Sequence, residues 1–520
     1  MQALHIYLQL AGSKAGGGWP LSMFLTPDAK PLLGGTYFPP RDRKDGPTGF
    51  LTVLARVQEA WSADSQKWQK TGDALAGYVA DSLRQRPALK SERLDRASVD
   101  AVVDALAAQY DDVYGGFGFD AMNPQRPKFP EPTNLVFLVD IARRHQSESA
   151  SKMLVHTLEK MSQGGLRDHL GGGFHRYSTD RYWRVPHFEK MLYDNAQLVS
   201  VYASAWELAP RDDFRQVVDQ TIEFMLRELA NPSGAFYSAL DAETLNHEGA
   251  YYVWLRGEIE DILSPEEFQL WAPTYGITGE PNFESRFYIP LLQRSLVDQA
   301  SLSRLAPAGK KLLAARAKRP RPRCDTKILA GWNGLAIHGL ADAGRILKND
   351  AYLQAATRAA DFVLANMRDP QGRLLRSYAG GQAKLLAYLD DYAYLVDGLI
   401  ALHRATGEKR WLTIADELTK AQIDLFWDQD AGGFFYTSSQ HEVLIARSKL
   451  PLDNATPSGN SVSAGNLVYL AAALGRDDYL ARAEGCLQSA ATILQQHPTA
   501  VPQLAVALSA WLDRQEAGHA

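Results

Sequence analysis

Gly172-Gly173-Phe174-His175-Arg176-Tyr177 is one copy of a turn signal that recurs along the chain and decides its fold. In every copy, one or two glycines precede a short run containing aromatic residues. The other copies begin at Gly115, Gly234, Gly372 and Gly432, so the successive steps are 57, 62, 138 and 60 residues. Because the long step equals roughly two repeats, the spacing predicts a sixth, hidden turn near residue 303.

The sequence between these turns has helical periodicity. Phe188, Met191, Leu192, Leu198 and Val199 follow a spacing that lays apolar side chains along one helix face, and His187 is predicted to open that helix. Further helix pairs are predicted through 131–164, 210–230, 330–367, 388–427, 461–493 and 499–514. Six pairs of about 60 residues predict a mainly α, closed (α/α)6 toroid. An open helical solenoid is the alternative architecture.

Size and charge exclude several classes of protein. The chain has 520 residues, of which 46% are hydrophobic, and a formal charge of −5, so neither nucleic acid nor a strongly anionic ligand is indicated. Its apolar runs are shorter than the roughly 20 residues that span a bilayer, and its N-terminus lacks a secretory signal. Only Cys324 and Cys486 are present, too far apart for a metal motif or redox pair. We therefore expect a cytoplasmic protein that does not associate with a membrane.

The region before residue 90 differs in kind from the rest. Residues 21–25 and 31–38 are β-favouring runs on either side of a Pro-Asp turn, and a helix is predicted from about 50 to 68. This order resembles the second half of a thioredoxin-like domain, with Trp19-Pro20 in the place of that fold's cis-proline loop. The Cys-X-X-Cys half of such a domain is absent from the chain.

Both regions together resemble one family, the thioredoxin-domain proteins related to the spermatogenesis-associated protein of animals. The resemblance covers nearly the whole chain. It rests on the segment 171–194 and on these motifs: Gly17-Gly18-Trp19-Pro20, residues 34–40 (GGTYFPP), Pro127-Lys128-Phe129-Pro130, Asp241-Ala242-Glu243, Glu248-Gly249, Tyr252-Val253-Trp254, Trp332-Asn333-Gly334-Leu335, Asp390-Asp391-Tyr392-Ala393 and Pro457-Ser458-Gly459-Asn460-Ser461.

The resemblance implies a thioredoxin-like module followed by a six-hairpin-glycosidase-like toroid, similar to N-acylglucosamine 2-epimerases and mannose isomerases. It does not imply a particular substrate. We therefore predict a partial thioredoxin-like segment at 1–90 and an (α/α)6 toroid at 91–520. The chain departs from the family by lacking the Cys-X-X-Cys half, so thioredoxin redox chemistry is not expected.

The segment from His169 to Asp194 is the first candidate site. His169, His175, His187, Glu189 and Asp194 lie within one repeat, and helical spacing would place His187, Lys190 and Asp194 on one face. Histidine transfers protons near neutral pH, and a neighbouring carboxylate can fix its tautomer. The alternative is that His187 caps a helix and that its neighbours are merely solvated.

Asp241, Glu243 and Glu248 form a second acidic cluster, at the equivalent place one repeat later. Two carboxyl groups can act as general acid and base on a glycosidic bond, although their separation cannot be obtained from sequence. Turn capping is the alternative role. His187, His175, His169, Glu189, Asp194, Asp241 and Glu243 are thus the catalytic candidates.

Other residues are candidates for ligand binding. Aromatic faces can stack on sugar rings, arginines can pair with anionic groups, and polar residues ahead of helices can meet a ligand, although core packing and helix capping are alternatives. These residues are Arg176, Tyr177, Trp183, Tyr193, Glu248, Trp254, Trp332, Asn333, Asp390, Asp391, Asp453, Ser458 and Asn460.

Metal and cofactor signals are weak. No His-X-X-X-His spacing occurs, and Gly171-Gly172-Gly173 lacks the context of a phosphate-binding loop, so neither metal nor cofactor is predicted. The basic run from Lys310 to Arg323 lacks interleaved aromatic residues, which favours a solvated insertion over a nucleic-acid arm.

Three functions are compatible with these patterns. The leading hypothesis is a sugar epimerase or isomerase in which His187 is the base, His169 or His175 its acid partner, and nearby carboxylates orient the substrate. A glycoside hydrolase with paired carboxyls is the second. A non-catalytic toroid that binds a glycan or a partner is the third. In the first two, a small sugar-like molecule is the expected ligand, and the oligomeric state cannot be predicted.

Overall fold

The computed structural model separates the chain into two units, Met1–Ala88 with Phe435–Lys449, and Leu89–Phe434 with Leu450–Ala520. The sequence did not predict that Phe435–Lys449 joins the first unit, and the boundary at residue 90 remains our proposal. The residues that the structure describes are 20–44, 46, 48–83, 93–118, 120, 122–293, 299–442 and 445–519.

The smaller unit contains the predicted hairpin. Strand β1 (Ser22–Leu25) pairs in antiparallel fashion with β2 (Pro31–Gly35). Helices α1 (Phe50–Ala63) and α2 (Ser65–Leu83) follow. Val79 of α2 packs against a small apolar cluster that includes Ile445. These elements follow the predicted order of strand, turn, strand and helix, whereas Trp19 and the glycines before it lie outside the described residues.

The larger unit is built from helix pairs, each consisting of an outer and an inner helix. Its helices are α3 (Arg96–Ala108), α4 (Pro132–His145), α5 (Glu148–Gln163), α6 (Leu192–Leu208), α7 (Asp212–Phe224, continued by a π-helical turn Met225–Leu229), α8 (Arg256–Ile262), α9 (Pro265–Thr274), α10 (Gln299–Arg316), α11 (Ala330–Leu347), α12 (Asp350–Asn366), α13 (Leu389–Thr406), α14 (Lys409–Phe426), α15 (Gly459–Leu474), α16 (Asp477–Ser489), α17 (Ala491–Gln496) and α18 (Pro502–His519).

The inner helices close into a ring. Around it, α4 contacts α6, followed by α11, α13, α15 and α18, and α18 contacts α4 again. Each outer helix precedes its inner partner in sequence, so the loops between the two meet at the N-terminal ends of the inner helices. The (α/α)6 toroid is therefore confirmed. Among the described residues, no helix is both long and apolar enough to cross a membrane.

Short strands lie in the loops at this end of the toroid. They form antiparallel pairs β3–β4 and β7–β8 and the three-stranded sheets β5–β6–β9 and β10–β11–β12. Their bounds are β3 (Tyr177–Ser178), β4 (Pro186–His187), β5 (Lys190–Met191), β6 (Ala239–Leu240), β7 (Glu243–Thr244), β8 (His247–Glu248), β9 (Cys324–Asp325), β10 (Ile328–Leu329), β11 (Leu375–Ala379) and β12 (Gln382–Leu386).

The glycine-aromatic turns join outer to inner helices, and a buried asparagine fixes three of them. In the second pair, Asn195 of α6 accepts from the Phe174 backbone N–H at 2.7 Å and donates to the Phe174 carbonyl at 3.1 Å. Gly173 has a φ of +76°, and a Cβ there would lie 2.4 Å from the Phe224 ring. Asn333 and Asn460 hold the turns at Phe236 and Phe434 in the same way.

The predicted turn near residue 303 is wrong, because α10 (Gln299–Arg316) runs through that position. The long step arises instead from an insertion between α7 and α11 that contains α8, α9 and α10. The sixth helix pair follows at the C-terminal end, where α17 and a 3-10 turn (Pro498–Ala500) replace the glycine turn.

The predicted helix start at His187 is also wrong. His187 belongs to β4, which pairs with Tyr177-Ser178 of β3, and α6 begins only at Leu192. The Arg176 N–H donates to the Glu189 carbonyl at 2.8 Å, so the chain remains extended up to the helix. His187, Lys190 and Asp194 therefore do not share a helix face.

Candidate functional site

A cavity of about 500 Å³ lies at the N-terminal ends of the inner helices, and we call it the central cavity. Glu131 and Asn134 line it at the start of α4, Asp194 at the start of α6, and Asp453 in the loop before α15. Gln197, one turn into α6, donates to the Ala455 carbonyl at 2.8 Å and so ties that loop to the ring. Acidic side chains from three repeats thus converge on the central cavity.

Asp194 is the most unusual group in the central cavity. It is 2% exposed, and its Oδ2 atom has no hydrogen-bond partner. Burial raises its pKa well above the ordinary range, and the lowering effect of Arg176 does not offset it. A pKa raised in this way favours the protonated form of the carboxyl group, which can donate a proton.

Two further carboxyl groups of the cavity titrate near neutral pH. Burial raises the pKa of Glu131 to about 6 and that of Asp453 to about 7. Asp453 is fixed by the backbone N–H groups of Ser458 at 2.7 Å and Gln503 at 2.8 Å. The sequence interpretation missed Glu131, although its position between Pro130 and Pro132 at the predicted start of a helix was a usable signal.

Arg176 is the cation of the central cavity. Its Nη1 atom lies 2.9 Å from Glu189 Oε2, and its guanidinium group also interacts with the Tyr193 hydroxyl. The Tyr193 ring in turn packs edge-on against half-buried Trp332, with ring centroids 4.8 Å apart. These contacts hold Arg176 near the Asp194 carboxyl group, whose pKa it lowers.

His187 lies beside the central cavity rather than in its wall. Its Nδ1 atom is 2.6 Å from Glu248 Oε1, and its Nε2 atom is 3.8 Å from Glu189 Oε2. Its ring stacks on Tyr177, which contacts Phe129 of the cavity wall. The structure therefore brings together five predicted residues, Arg176, Tyr177, His187, Glu189 and Glu248.

Glu248 also borders a second concave surface. Together with Tyr251, Phe283 and Phe287 it lines a groove of about 520 Å³ in the inserted segment. Asp241 and Glu243, predicted to act with Glu248, are exposed and line neither the groove nor the central cavity. Asp241 accepts from the Glu243 N–H at 3.2 Å, which is the turn-capping role.

The two other candidate histidines belong to the framework. The Nδ1–H of His175 donates to the Phe188 carbonyl at 2.9 Å, and the Nε2–H of His169 donates to the Gly164 carbonyl at 2.9 Å. Burial lowers the pKa of each to about 3, so both imidazoles stay neutral in the folded protein. Neither lines the central cavity.

Several predicted ligand-binding side chains are likewise engaged in the framework. Trp183 is buried and donates its indole N–H to the Tyr114 carbonyl at 2.8 Å, and the Ser458 hydroxyl donates to the Leu450 carbonyl at 2.7 Å. Asp390 is half-buried beside Gly459, and burial with neighbouring Asp391 raises its pKa to about 7. Trp254, Asn333, Asp391 and Asn460, also predicted to bind a ligand, are buried as well.

His338, which the sequence interpretation did not select, lies deeper along the ring. Its Nδ1 atom is 2.7 Å from Asp397 Oδ2, and its Nε2 atom is 3.2 Å from Asp342 Oδ2. Burial opposes ionisation of the imidazole, but the two carboxylates outweigh it and hold the His338 pKa well above its usual value. Within the described part of the chain, no group of three or more His, Cys, Asp or Glu side chains is arranged to hold a metal ion.

The sequence of the chain is similar to those of known proteins. Residues 3–80 match the family model Thioredox_DsbH, described as a protein of unknown function (DUF255). The chain is 36% identical to human spermatogenesis-associated protein 20, over 96% of this chain and 69% of that protein. It is 32% identical to the uncharacterized protein B0495.5 of Caenorhabditis elegans, over 97% of this chain and 74% of that protein.

Comparisons of structure concern the toroid. D-mannose isomerase superposes with a TM-score of 0.53 at 11% identity, over 82% of this chain and all of that one (100%). Cellobiose 2-epimerase from Bacillus thermoamylovorans B4167 gives a TM-score of 0.51 at 10% identity, over 76% of this chain and 86% of that one. At such identities the likeness establishes the fold and not the activity.

Proposed function

The chain belongs to the family of spermatogenesis-associated protein 20, and from its central cavity we propose that it converts a sugar by acid-base catalysis of the epimerase or isomerase type. The names of its sequence relatives state no reaction, whereas two of its structural neighbours are named as an epimerase and an isomerase. The observation that carries the proposal is Asp194, a buried carboxyl group with a free oxygen in the cavity wall.

The proposed chemistry assigns a separate role to each group. Protonated Asp194 donates its proton to the carbonyl oxygen of an open-chain sugar, while a base removes the proton from the adjacent carbon and an enediol forms. Glu131 is the base candidate in the cavity wall, since a group with a pKa of about 6 is largely ionised at neutral pH. Return of a proton to the carbon and loss of the hydroxyl proton to Asp194 complete the conversion.

His187 is the other base candidate. It lies beside the cavity wall, where Glu189 stands between it and Arg176, and Glu248 on its Nδ1 side would fix its tautomer. If His187 is the base, His187→Gln abolishes proton exchange and Glu131→Gln does not. If Glu131 is the base, the two variants behave in the opposite way.

Deuterium exchange tests the reaction directly. The protein is incubated with mannose, glucose, N-acetylglucosamine and cellobiose in deuterated water, and deuterium at C2 is followed by NMR. We expect exchange with at least one sugar and a loss of about 100-fold or more in Asp194→Asn, the usual scale for removing a general acid. Exposed Asp241→Asn is the matched control and should retain the wild-type rate. No exchange with any of these sugars contradicts the proposal.

Glycoside hydrolysis is the second candidate, because Glu131, Asp194 and Asp453 are all carboxyl groups of one cavity and a carboxyl pair is what most glycosidases use. Release of reducing ends from oligosaccharides, lost in both Glu131→Gln and Asp194→Asn, would favour it. If neither reaction occurs but an oligosaccharide binds to wild type and not to Asp194→Asn, the toroid is a binding module.

A further inference from the structure

A second, smaller cavity lies where the glycine turn of the second helix pair meets the inserted segment, and we call it the basic cavity. Its volume is about 90 Å³. Asp168 and Lys190 line it from the turn segment, and Tyr252 and Arg316 line it from the insertion. Since a water molecule occupies roughly 30 Å³ in the liquid, there is room for a group of a few non-hydrogen atoms but not for a hexose.

Positive charge exceeds negative charge in the lining of the basic cavity. Asp168 accepts both guanidinium arms of Arg316 at 2.8 Å and the Lys190 ammonium group at 2.8 Å, so one carboxylate faces two buried cations. At the outer side, Glu228 pairs with both Arg227 and Arg321. The lining therefore contains four cationic side chains and two carboxylates. Two of its positive charges have no negative charge within the lining to compensate them.

Two side chains of the same lining carry hydrogen-bond donors without partners. The Tyr252 hydroxyl and the Arg316 Nε atom are buried, and neither has a hydrogen-bond partner in the protein. Lys190 uses two of its three donors, on Asp168 and on the Gly172 carbonyl at 2.8 Å. A buried donor without a partner costs on the order of 1–3 kcal/mol, so an acceptor that reached these groups would be stabilised.

From this combination of volume, charge and free donors we infer that the basic cavity binds a small tetrahedral oxyanion of the phosphate or sulfate type. Such an anion offers several acceptor oxygens to Tyr252, Arg316 and Lys190 and neutralises the excess positive charge. Exposed Arg321, with Pro322 and Cys324, forms the outer part of the lining. The anion is therefore either free in solution or the end of a phosphorylated molecule whose remainder stays outside.

Titration of the purified chain with inorganic phosphate, followed by calorimetry and thermal unfolding, tests this inference. We expect saturable binding and a rise in Tm that sodium chloride at equal ionic strength does not produce. Tyr252→Phe removes one free donor without changing the packed ring and should weaken binding at least about fivefold. Arg321→Ala should weaken it as well. Exposed Arg323→Ala, which removes a cation outside the lining, is the matched control and should bind as wild type does.

Thiol labelling gives a second readout that does not depend on stability. Cys486 is fully buried, whereas Cys324 lines the basic cavity and is partly exposed, so Cys324 is the thiol that reacts first in the folded protein. Phosphate should slow its labelling in wild type and in Arg323→Ala at similar concentrations, whereas Tyr252→Phe should need at least about fivefold more phosphate for the same effect. Equal phosphate responses in all variants, or a response no larger than that to chloride, would overturn the inference.

The source of the anion is resolved by comparing inorganic phosphate, glucose 6-phosphate and glucose. Tighter binding of glucose 6-phosphate than of phosphate identifies the end group of a larger ligand, and the reverse order identifies the free ion. Glucose alone should not protect Cys324. Because Asp194→Asn leaves the basic cavity intact, it should keep phosphate binding even if the proposed sugar conversion fails.

Discussion

Asp168 and Asp194 are buried aspartates of the same loop-to-helix segment, yet their environments drive them to opposite states. Burial opposes ionisation of Asp168, but Arg316 and Lys190 outweigh it and hold its pKa well below the ordinary value. Asp194 is equally buried, and without such partners its pKa is raised well above that value. The comparison shows that the supply of cations, and not burial, decides whether the pKa of a buried aspartate is lowered or raised.

The difference extends to the surroundings of each group. Asp168 opens the glycine turn and accepts from the Gly171 N–H at 3.0 Å, so its charge is used to hold the framework. Asp194 leaves one buried oxygen without a partner, and the residue lines a cavity large enough for a sugar. A perturbed carboxyl group that stabilises no neighbour is a stronger indication of a functional site than one within an ion-pair network.

The largest expected effect is from breaking the Asp168 cluster. Arg316→Met removes both arms of the bidentate pair and leaves a buried carboxylate with Lys190 alone. We expect the free energy of unfolding to fall by about 3–5 kcal/mol, the usual cost of removing one partner of a buried pair. Urea denaturation measures it, with Arg323→Met as the exposed control. A loss below about 1 kcal/mol would mean that the cluster is not a structural element.

Sequence alone could not have found that cluster. Arg316 belongs to the basic run that we interpreted as a solvated insertion, and it is instead 3% exposed. Its partner Asp168 is 148 residues away, and a pair so distant leaves no local pattern. The glycine-aromatic turns were visible because each is a local signal repeated at a nearly constant spacing. The insertion between α7 and α11 lengthened one step of this spacing. The sequence therefore did not reveal that the sixth helix pair is the one without a glycine turn.

The candidate site was predicted in part, and partly for an incorrect reason. Asp194 was selected as part of a helix face with His187, whereas extended strands separate the two residues. Its actual neighbours in the cavity, Glu131 and Asp453, come from other repeats. The way in which the ring of helices closes determines which turns meet across it. The number of repeats can be counted in the sequence, whereas the side chains that face each other across the ring cannot be identified from it.

A second prediction concerns the asparagine clamps, which fix the framework by neutral hydrogen bonds where Asp168 uses charge. Asn333→Ala removes one bond from the Phe236 N–H and one each to the Phe236 and Leu329 carbonyls, all buried. We expect a loss of roughly 2–3 kcal/mol in the free energy of unfolding, because a buried N–H remains unsatisfied. Exposed Asn366→Ala is the control and should lose less than about 0.5 kcal/mol. Equal losses in both variants would contradict the clamp.

The third prediction tests Asp194 through the pH dependence of stability. Above the unfolded-state pKa of about 3.9, Asp194 ionises in the unfolded chain, whereas its raised pKa opposes ionisation in the folded one, so Asp194 favours unfolding as the pH rises. Asp194→Asn lacks this linkage. Between pH 4 and pH 8, we expect the free energy of unfolding of the variant to rise relative to that of wild type by about 1–3 kcal/mol, as measured by urea denaturation. Asp241→Asn should show no such trend, and a constant difference across this range would mean that Asp194 is ionised in the folded protein.

The smallest effect is expected where an ion pair is only partly buried. His187 and Glu248 are 26% and 44% exposed, so solvent screens their attraction and Glu248→Gln should change the free energy of unfolding by less than about 1 kcal/mol. The same variant still allows an uncharged hydrogen bond to Nδ1, so its effect on sugar conversion reports on charge rather than on position. If deuterium exchange falls at least about tenfold while stability is unchanged, the Glu248 charge supports His187 as a base. If Glu248→Gln lowers the free energy of unfolding as much as Arg316→Met does, the His187–Glu248 pair belongs to the framework. The contrast between paired and unpaired groups would then not identify the functional site.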